Sequence, residues 1–241
     1  MRFKAYQALA GLAFAGLVAT APAHAVGFTI DYPGDNGAST DNTGSSATAL
    51  FDFTAFNATS VTLTITLTNT TPAAIGSDLI ALLFDLPAGP PPVTYVAGSF
   101  TNDNTNPLVW NYLPGESLNP FGSFSSCASV DTADCLNAGG GGDQGLSSGQ
   151  SDKFSLRITG LGSDASAYST AFFNLFAMYS ADTGNTQATC VRFQRVGPDN
   201  QNSDKVCGST EDTPDDVPEP GTLGLLGLGL IGLGFARRRR A

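Results

Sequence analysis

Histidine is nearly absent from this sequence, and its one occurrence is placed where a mature domain cannot use it. His24 stands in AHA at 23–25, at the end of a leader-like segment. A body without histidine has no Ser–His or Cys–His nucleophile pair, no imidazole general base and few routes to a catalytic zinc site. Basic residues are also scarce, 11 against 21 acidic ones. Six of the 11 lie at the chain ends (Arg2, Lys4, Arg237, Arg238, Arg239, Arg240), leaving Lys153, Arg157, Arg192, Arg195 and Lys205. With 20 acidic residues in 26–217, that body carries a formal charge of about −15. Such a balance repels nucleic-acid phosphate and anionic lipid, and favours solubility. Glutamate is scarce too: Glu116 and Glu211 are the body's whole supply. Carboxylate-pair chemistry is what remains to an enzyme here, and no local motif marks such a pair. Long runs of helical period are missing outside the two ends.

What is present begins with those ends. The first 25 residues read MRFKAYQALAGLAFAGLVATAPAHA. Arg2 and Lys4 give a basic start, 8–19 is apolar, and Ala23-His24-Ala25 is a small-x-small cleavage site. This is the layout of a secretory signal peptide, with cleavage expected after Ala25. An uncleaved membrane helix is the competing reading, and the run is short of the roughly 20 residues a span needs. The last 25 residues read VPEPGTLGLLGLGLIGLGFARRRRA. A charge-free run at 221–236 is followed by Arg237, Arg238, Arg239 and Arg240. Arginines hold such an end on the cytoplasmic side. Pro218 and Pro220 keep helix from spreading outward. The expected behaviour is a weak membrane stop on an exported chain.

Pro218-Glu219-Pro220, the apolar helix and the terminal arginine cluster together resemble the PEP-CTERM sorting signal of Gram-negative bacteria. The resemblance implies processing by an exosortase, a membrane-embedded cysteine transpeptidase-like enzyme. It also implies membrane attachment through the C-terminal helix before cleavage, then residence at the cell surface or in the extracellular matrix. The family is associated with extracellular polysaccharide in biofilm and floc. A plain C-terminal anchor is the alternative. The resemblance covers only the end of the chain and is silent on the domain between.

Within the body the dominant period is two. SVTLTITLTN (60–69) sets Val61, Leu63, Ile65 and Leu67 on one face and threonines on the other, the pattern of a half-buried strand. KFSLRIT (153–159) and ALFDF (49–53) repeat it. DLIALLFDL (78–86) is apolar on both faces and reads as a central strand or, less well, a short helix. VTYVAGSF (93–100), LVWNYL (108–113) and CVRFQRV (190–196) are further strands, while AFFNLFAMY (171–179) fits strand or helix. ESLNPFGSFSSC (116–127) and NAGGGGDQGLSSGQ (137–150) read as irregular. Short strands between Gly, Pro, Asn and Asp clusters predict an all-β fold, an antiparallel β-sandwich of jelly-roll-like type. The expected organisation is a signal peptide at 1–25, the sandwich at 26–205, a polar stalk at 206–217 and the sorting signal at 218–241. In the last, the apolar helix occupies about 221–236 and the arginine cluster 237–240.

Four cysteines in an exported chain favour structural disulfides over metal binding. Local pairing, Cys127 with Cys135 and Cys190 with Cys207, is the economical choice among three connectivities. DYPGDNG (31–37) and PDNQNSD (198–204) gather oxygen ligands of the kind Ca²⁺ takes. Neither has the spacing of a calcium loop, and Asx-turn chemistry is the plainer reading. No other cofactor is expected. Trp110, Tyr112 and Tyr95 suit either a sugar-stacking platform or the core, with strand spacing favouring the core. The threonine row at 62–68 resembles the hydroxyl faces of ice-binding proteins, which need the row repeated on neighbouring strands. Alone, it is a wet strand face. Asn57-Ala58-Thr59 and Asn69-Thr70-Thr71 match the N-glycosylation pattern and read as chance. The combined expectation is a non-enzymatic exported surface or matrix protein associated with exopolysaccharide. A carbohydrate-binding, lectin-like module is the alternative and a carboxylate-based glycan hydrolase the third reading.

Overall fold

A computed structural model of the chain describes residues 26–34, 39–103, 108–130, 135, 145–180, 187–208 and 210. Alternation governs the first three strands, β1 (Val26–Tyr32), β2 (Ala47–Asn57) and β3 (Ser60–Asn69). Phe28, Ile30 and Tyr32 point inward from β1, as do Ala49, Phe51 and Phe53 from β2. Residues between them are half-exposed, or exposed at Thr29. β4 (Asp78–Phe84) is buried along its whole length, which is why its sequence shows no polar face. Two short strands follow, β5 (Thr94–Tyr95) and β6 (Thr101–Asn102), then β7 (Asn111–Leu118), β8 (Gly122–Ser129), β9 (Leu146–Ser147) and β10 (Ser151–Thr159). A helix, α1 (Ala165–Ser180), precedes β11 (Thr189–Val196) and β12 (Asn202–Cys207).

These strands make two antiparallel sheets. The first runs β1-β2-β3-β10-β5, with β6 also paired to β10; the second runs β12-β11-β4-β8-β7, with β9 also paired to β4. One core joins them. Phe51 of the first sheet meets Phe84 of the second edge-on, ring centroids 6.0 Å apart, within an apolar cluster drawn from both sheets and α1. The predicted two-sheet, β-rich body is therefore present.

The ambiguous segment 171–179 lies within α1. Asp164 caps it, its Oδ1 accepting from the amides of Ser166 (3.0 Å) and Ala167 (3.3 Å), as a helix start requires. Tyr168, Phe172 and Phe176 recur every four residues and are buried, one stripe laid against Phe28, Phe51 and Phe53. Among the described residues no helix is long and apolar enough to cross a membrane.

Some strand expectations need correction. The stretch 116–127, read as irregular, is most of a hairpin: β7 and β8 pair from Asn111↔Ser129 to Leu118↔Gly122 around Asn119-Pro120. Its serines hide the period, because backbone hydrogen bonds rather than apolar alternation carry the pairing. In 93–100 only Thr94–Tyr95 forms a strand, and in 108–113 the strand begins at Asn111. At the far end, β12 extends to Cys207, two residues beyond the expected end of the sandwich at 205. Cys207 lies opposite Cys190 and the disulfide between them keeps the strand paired.

β4 also has a covered outer face. Ala81 and Leu83 pack there with Leu118, Phe121, Phe124 and all four cysteines. Both disulfides are closed, Cys127–Cys135 and Cys190–Cys207. The register sets Leu83 between Cys190 and Cys127, so the two bridges flank one leucine on a single row of the sheet.

Candidate functional site

The outer face of the first sheet is a grid of side chains in register. Across β2, β3 and β10 its rows read Thr48–Thr68–Ser151, Leu50–Thr66–Lys153, Asp52–Thr64–Ser155 and Thr54–Thr62–Arg157. The threonine row of β3 is not repeated on its neighbours, but hydroxyls stand beside it at Thr48 and Thr54 of β2 and at Ser151 and Ser155 of β10, among Leu50, Asp52, Lys153 and Arg157. Thr68 and Ser151 share a hydrogen bond of 2.8 Å, and Thr64 and Ser155 one of 3.0 Å. β1 extends two rows with Asp31 beside Thr48 and Thr29 beside Leu50. Gly27, opposite Asp52, presents no side chain, and the Asp52 carboxylate lies where a Cβ there would sit. Burial in this setting pushes the Asp52 carboxyl above the usual carboxylate range.

The grid has distinct ends. At one, Phe56 is 53% exposed, and the Arg157 guanidinium lies over its ring at 4.7 Å. At the other, a shallow recess is lined by Asp31, Tyr32, Pro33, Ser46, Ala47, Thr48 and Thr70. Lys153 is held at the side by Asp103, 3.1 Å away.

The three aromatics named from sequence do not make an exposed platform. Trp110 is 1% exposed, and its Nε1 donates to Asp152 at 2.9 Å. Tyr95 and Tyr112 stack on each other at 4.0 Å and pack against the core. Burial raises the Tyr112 phenol above its ordinary pKa, against the hydroxyl of Ser126 that shares its hydrogen bond. Of the two glycosylation patterns, Asn69 is buried and donates to the carbonyls of Ser77 and Leu146. Asn57 is exposed in the β2–β3 turn.

The oxygen-rich segments behave differently from each other. Asp31 and Tyr32 belong to β1, while 35–37 lie outside the described residues. In the second segment Asp204 is fully buried. Its carboxylate accepts from Ser39 Oγ, Thr40 Oγ1, Thr43 Oγ1 and the amides of Asp41, Thr43 and Lys205, at 2.7–3.2 Å. Those donors occupy the oxygens a cation would need. They fasten the 39–43 loop to β12, where Ser39 also bridges to Val206. Burial lowers the pKa of Lys205, whose Nζ donates to the Asn119 carbonyl. Beside this cluster is an open polar recess lined by Asp41, Thr43, Gln201, Asn202 and Ser203. Among the described residues no three His, Cys, Asp or Glu side chains gather as a metal site.

Asp204→Ala is expected to lower stability by about 3 kcal/mol or more, since hydrogen bonds to a charged group contribute ~1.5–3 kcal/mol each and are not additive. Urea denaturation measures it. A loss under about 1 kcal/mol would mean that the loop is held by something else.

Pro218, Glu219, Pro220 and Arg237–Arg240 lie outside the described residues, as do 1–25. Their reading rests on comparison. Residues 216–240 match the family model of the PEP-CTERM protein-sorting motif. The chain carries a PEP-CTERM sorting tail. The motif marks an exported bacterial protein, sorted to the surface and processed by an exosortase. The match covers the tail and leaves the sandwich outside it. No curated protein and no solved structure matches the chain.

Proposed function

We propose that this is a non-enzymatic structural protein of the extracellular matrix of a Gram-negative bacterium, associated with exopolysaccharide in biofilm or floc. The PEP-CTERM match at 216–240 carries the proposal. In this reading the leader is removed after Ala25. The 221–236 segment then holds the chain in the membrane for a time, with Pro218-Glu219-Pro220 outside and the arginines inside. Exosortase cleavage near Pro-Glu-Pro passes the sandwich to the surface or the matrix.

The want of histidine in 26–217 supports a non-enzymatic role, because the common nucleophile–base pairs need an imidazole. Several carboxylates are also engaged in structure. Asp204 binds the 39–43 loop, Asp152 receives Trp110, and Asp78 pairs with Arg195 at 3.2 Å. The carboxylate-based hydrolase has no comparable observation in its favour. A lectin-like module on a jelly-roll-like sandwich is the second reading, favoured by the recess beside the hydroxyl grid.

Fractionation tests the matrix role. The mature protein is expected to sediment with the polysaccharide fraction and to be released when that polysaccharide is depolymerised. Recovery in the culture fluid at the same level with or without matrix would contradict it.

A further inference from the structure

We propose that the outer face of the β1-β2-β3-β10 sheet is a binding platform for an extended, neutral polysaccharide. The inference rests on the matrix reading above and names the surface and the ligand class for it.

Register is the first ground. Hydroxyls occur on three adjacent strands, across all three in the row Thr48–Thr68–Ser151 and across two in the rows Thr64–Ser155 and Thr54–Thr62, so donors and acceptors spread over a surface rather than along one line. Neighbouring strands lie about 4.8 Å apart, and same-face residues about 6.8 Å apart along a strand. That spacing matches a ligand whose own hydroxyls repeat on the scale of a sugar ring. From Thr48 to Phe56 the strand runs for about 27 Å at ~3.4 Å per residue, long enough for several rings. Among the described residues, Thr48, Thr54, Thr62 and Thr66 make no side-chain hydrogen bond within the protein. The hydroxyls of Thr64–Ser155 and Thr68–Ser151 bond to each other, which orients them and leaves each pair further capacity.

The ends are the second ground. Exposed Phe56 offers an aromatic ring at one end, backed on one side by Arg157. Aromatic faces bind the apolar faces of sugars, and a ring held by a cation keeps its position. At the opposite end the recess with Asp31, Ser46 and Thr70 offers oxygens where the grid stops.

Charge selects the class. The body carries about −15 overall, yet this face with its edge holds Asp31, Asp52 and Asp103 against Lys153 and Arg157, a balance of only −1. A polyanion would gain nothing here and would meet the field of the remaining body. A neutral glycan suffers neither. The same charges argue against ice, whose lattice offers them no partners. They also argue against face-to-face stacking of two copies, which would desolvate them together with the hydroxyls.

Affinity electrophoresis of the mature protein decides the matter, with hydroxyethylcellulose as neutral probe and alginate as anionic probe. Migration is expected to be retarded by hydroxyethylcellulose and unaffected by alginate. Thr64→Val with Ser155→Ala removes one hydroxyl pair at nearly constant shape and in residues that suit the sheet. It is expected to weaken retardation at least tenfold, as is Phe56→Ala. Near-ultraviolet circular dichroism checks that each variant keeps the parent fold. Full retention of binding by folded variants would overturn the assignment to this face while leaving the matrix role standing. Stronger retardation by alginate would overturn the neutral class. No retardation of the parent protein by the neutral probe would overturn the platform, and matrix fractionation would then judge the matrix role separately.

Discussion

Reduction of both disulfides is expected to cost the mature protein about 5–6 kcal/mol. The bridges span sequence separations of 8 and 17 residues. Chain-entropy accounting gives about 2.5 kcal/mol for the shorter loop and about 3 kcal/mol for the longer. Domains of this size are stable by roughly 5–15 kcal/mol in total, so reduction removes a large part of the margin. The four cysteines are fully buried around Leu83 on the outer face of the second sheet. Their bridges thus also fix the side that, among the described residues, Leu118, Phe121 and Phe124 cover with Leu113 beside them. The midpoint of thermal unfolding should fall by about 10–20 °C, at 2–4 °C per kcal/mol for a chain of this length. Calorimetry with and without reductant checks this, with alkylation to prove that all four thiols were free. A fall of less than about 2 °C would mean that the sandwich does not depend on its bridges.

Phe176→Ala is expected to cost about 3–5 kcal/mol, the usual loss for deleting a buried phenylalanine. Phe176 is 1% exposed, and its ring meets those of Phe28, Phe51 and Phe172 at centroid distances of 6.0, 5.3 and 5.8 Å. These edge-on pairs add to the area it buries. Met178, two residues along the same helix and 63% exposed, is the comparison. Met178→Ala should stay within about 0.5 kcal/mol of the parent. Urea denaturation measures both. Equal effects would show that α1 does not pack through its Phe172–Phe176 stripe.

Physical reasons separate what the sequence revealed from what it hid. β3 and β10 were legible because one face is core and the other water, so Leu63 and Thr64 differ in kind at every step. β4 was legible for the opposite reason, being covered on both faces. α1 had its signals in plain view, Asp164 as cap and Tyr168, Phe172 and Phe176 at spacing four. The stretch 171–179 excludes that cap, and its period alone fits strand or helix. β1 likewise carries Phe28, Ile30 and Tyr32 in strict alternation. The β7–β8 hairpin had no such pattern, since its serines serve either face.

The candidate surface was half legible. The threonine row of β3 stands in the sequence, but its importance depends on which strands lie beside it. Thr64 and Ser155 are 91 residues apart, and only the register brings them together. Asp204 raises the same difficulty, because its donors come from a loop some 160 residues earlier. Trp110 shows the converse. Its residue type suggests a ligand, whereas its partner Asp152 makes it part of the core.

The central claim is that the chain is exported and sorted through its tail, and intact-mass spectrometry tests it most directly. Surface and matrix protein would be compared from cells with and without the exosortase. With the enzyme, the product should begin at Val26 and end near Pro218-Glu219-Pro220, having lost the apolar run and the arginines. Without it, the chain should stay cell-bound and keep its end at Ala241. A product that still ends at Ala241 in the presence of the enzyme would contradict the account.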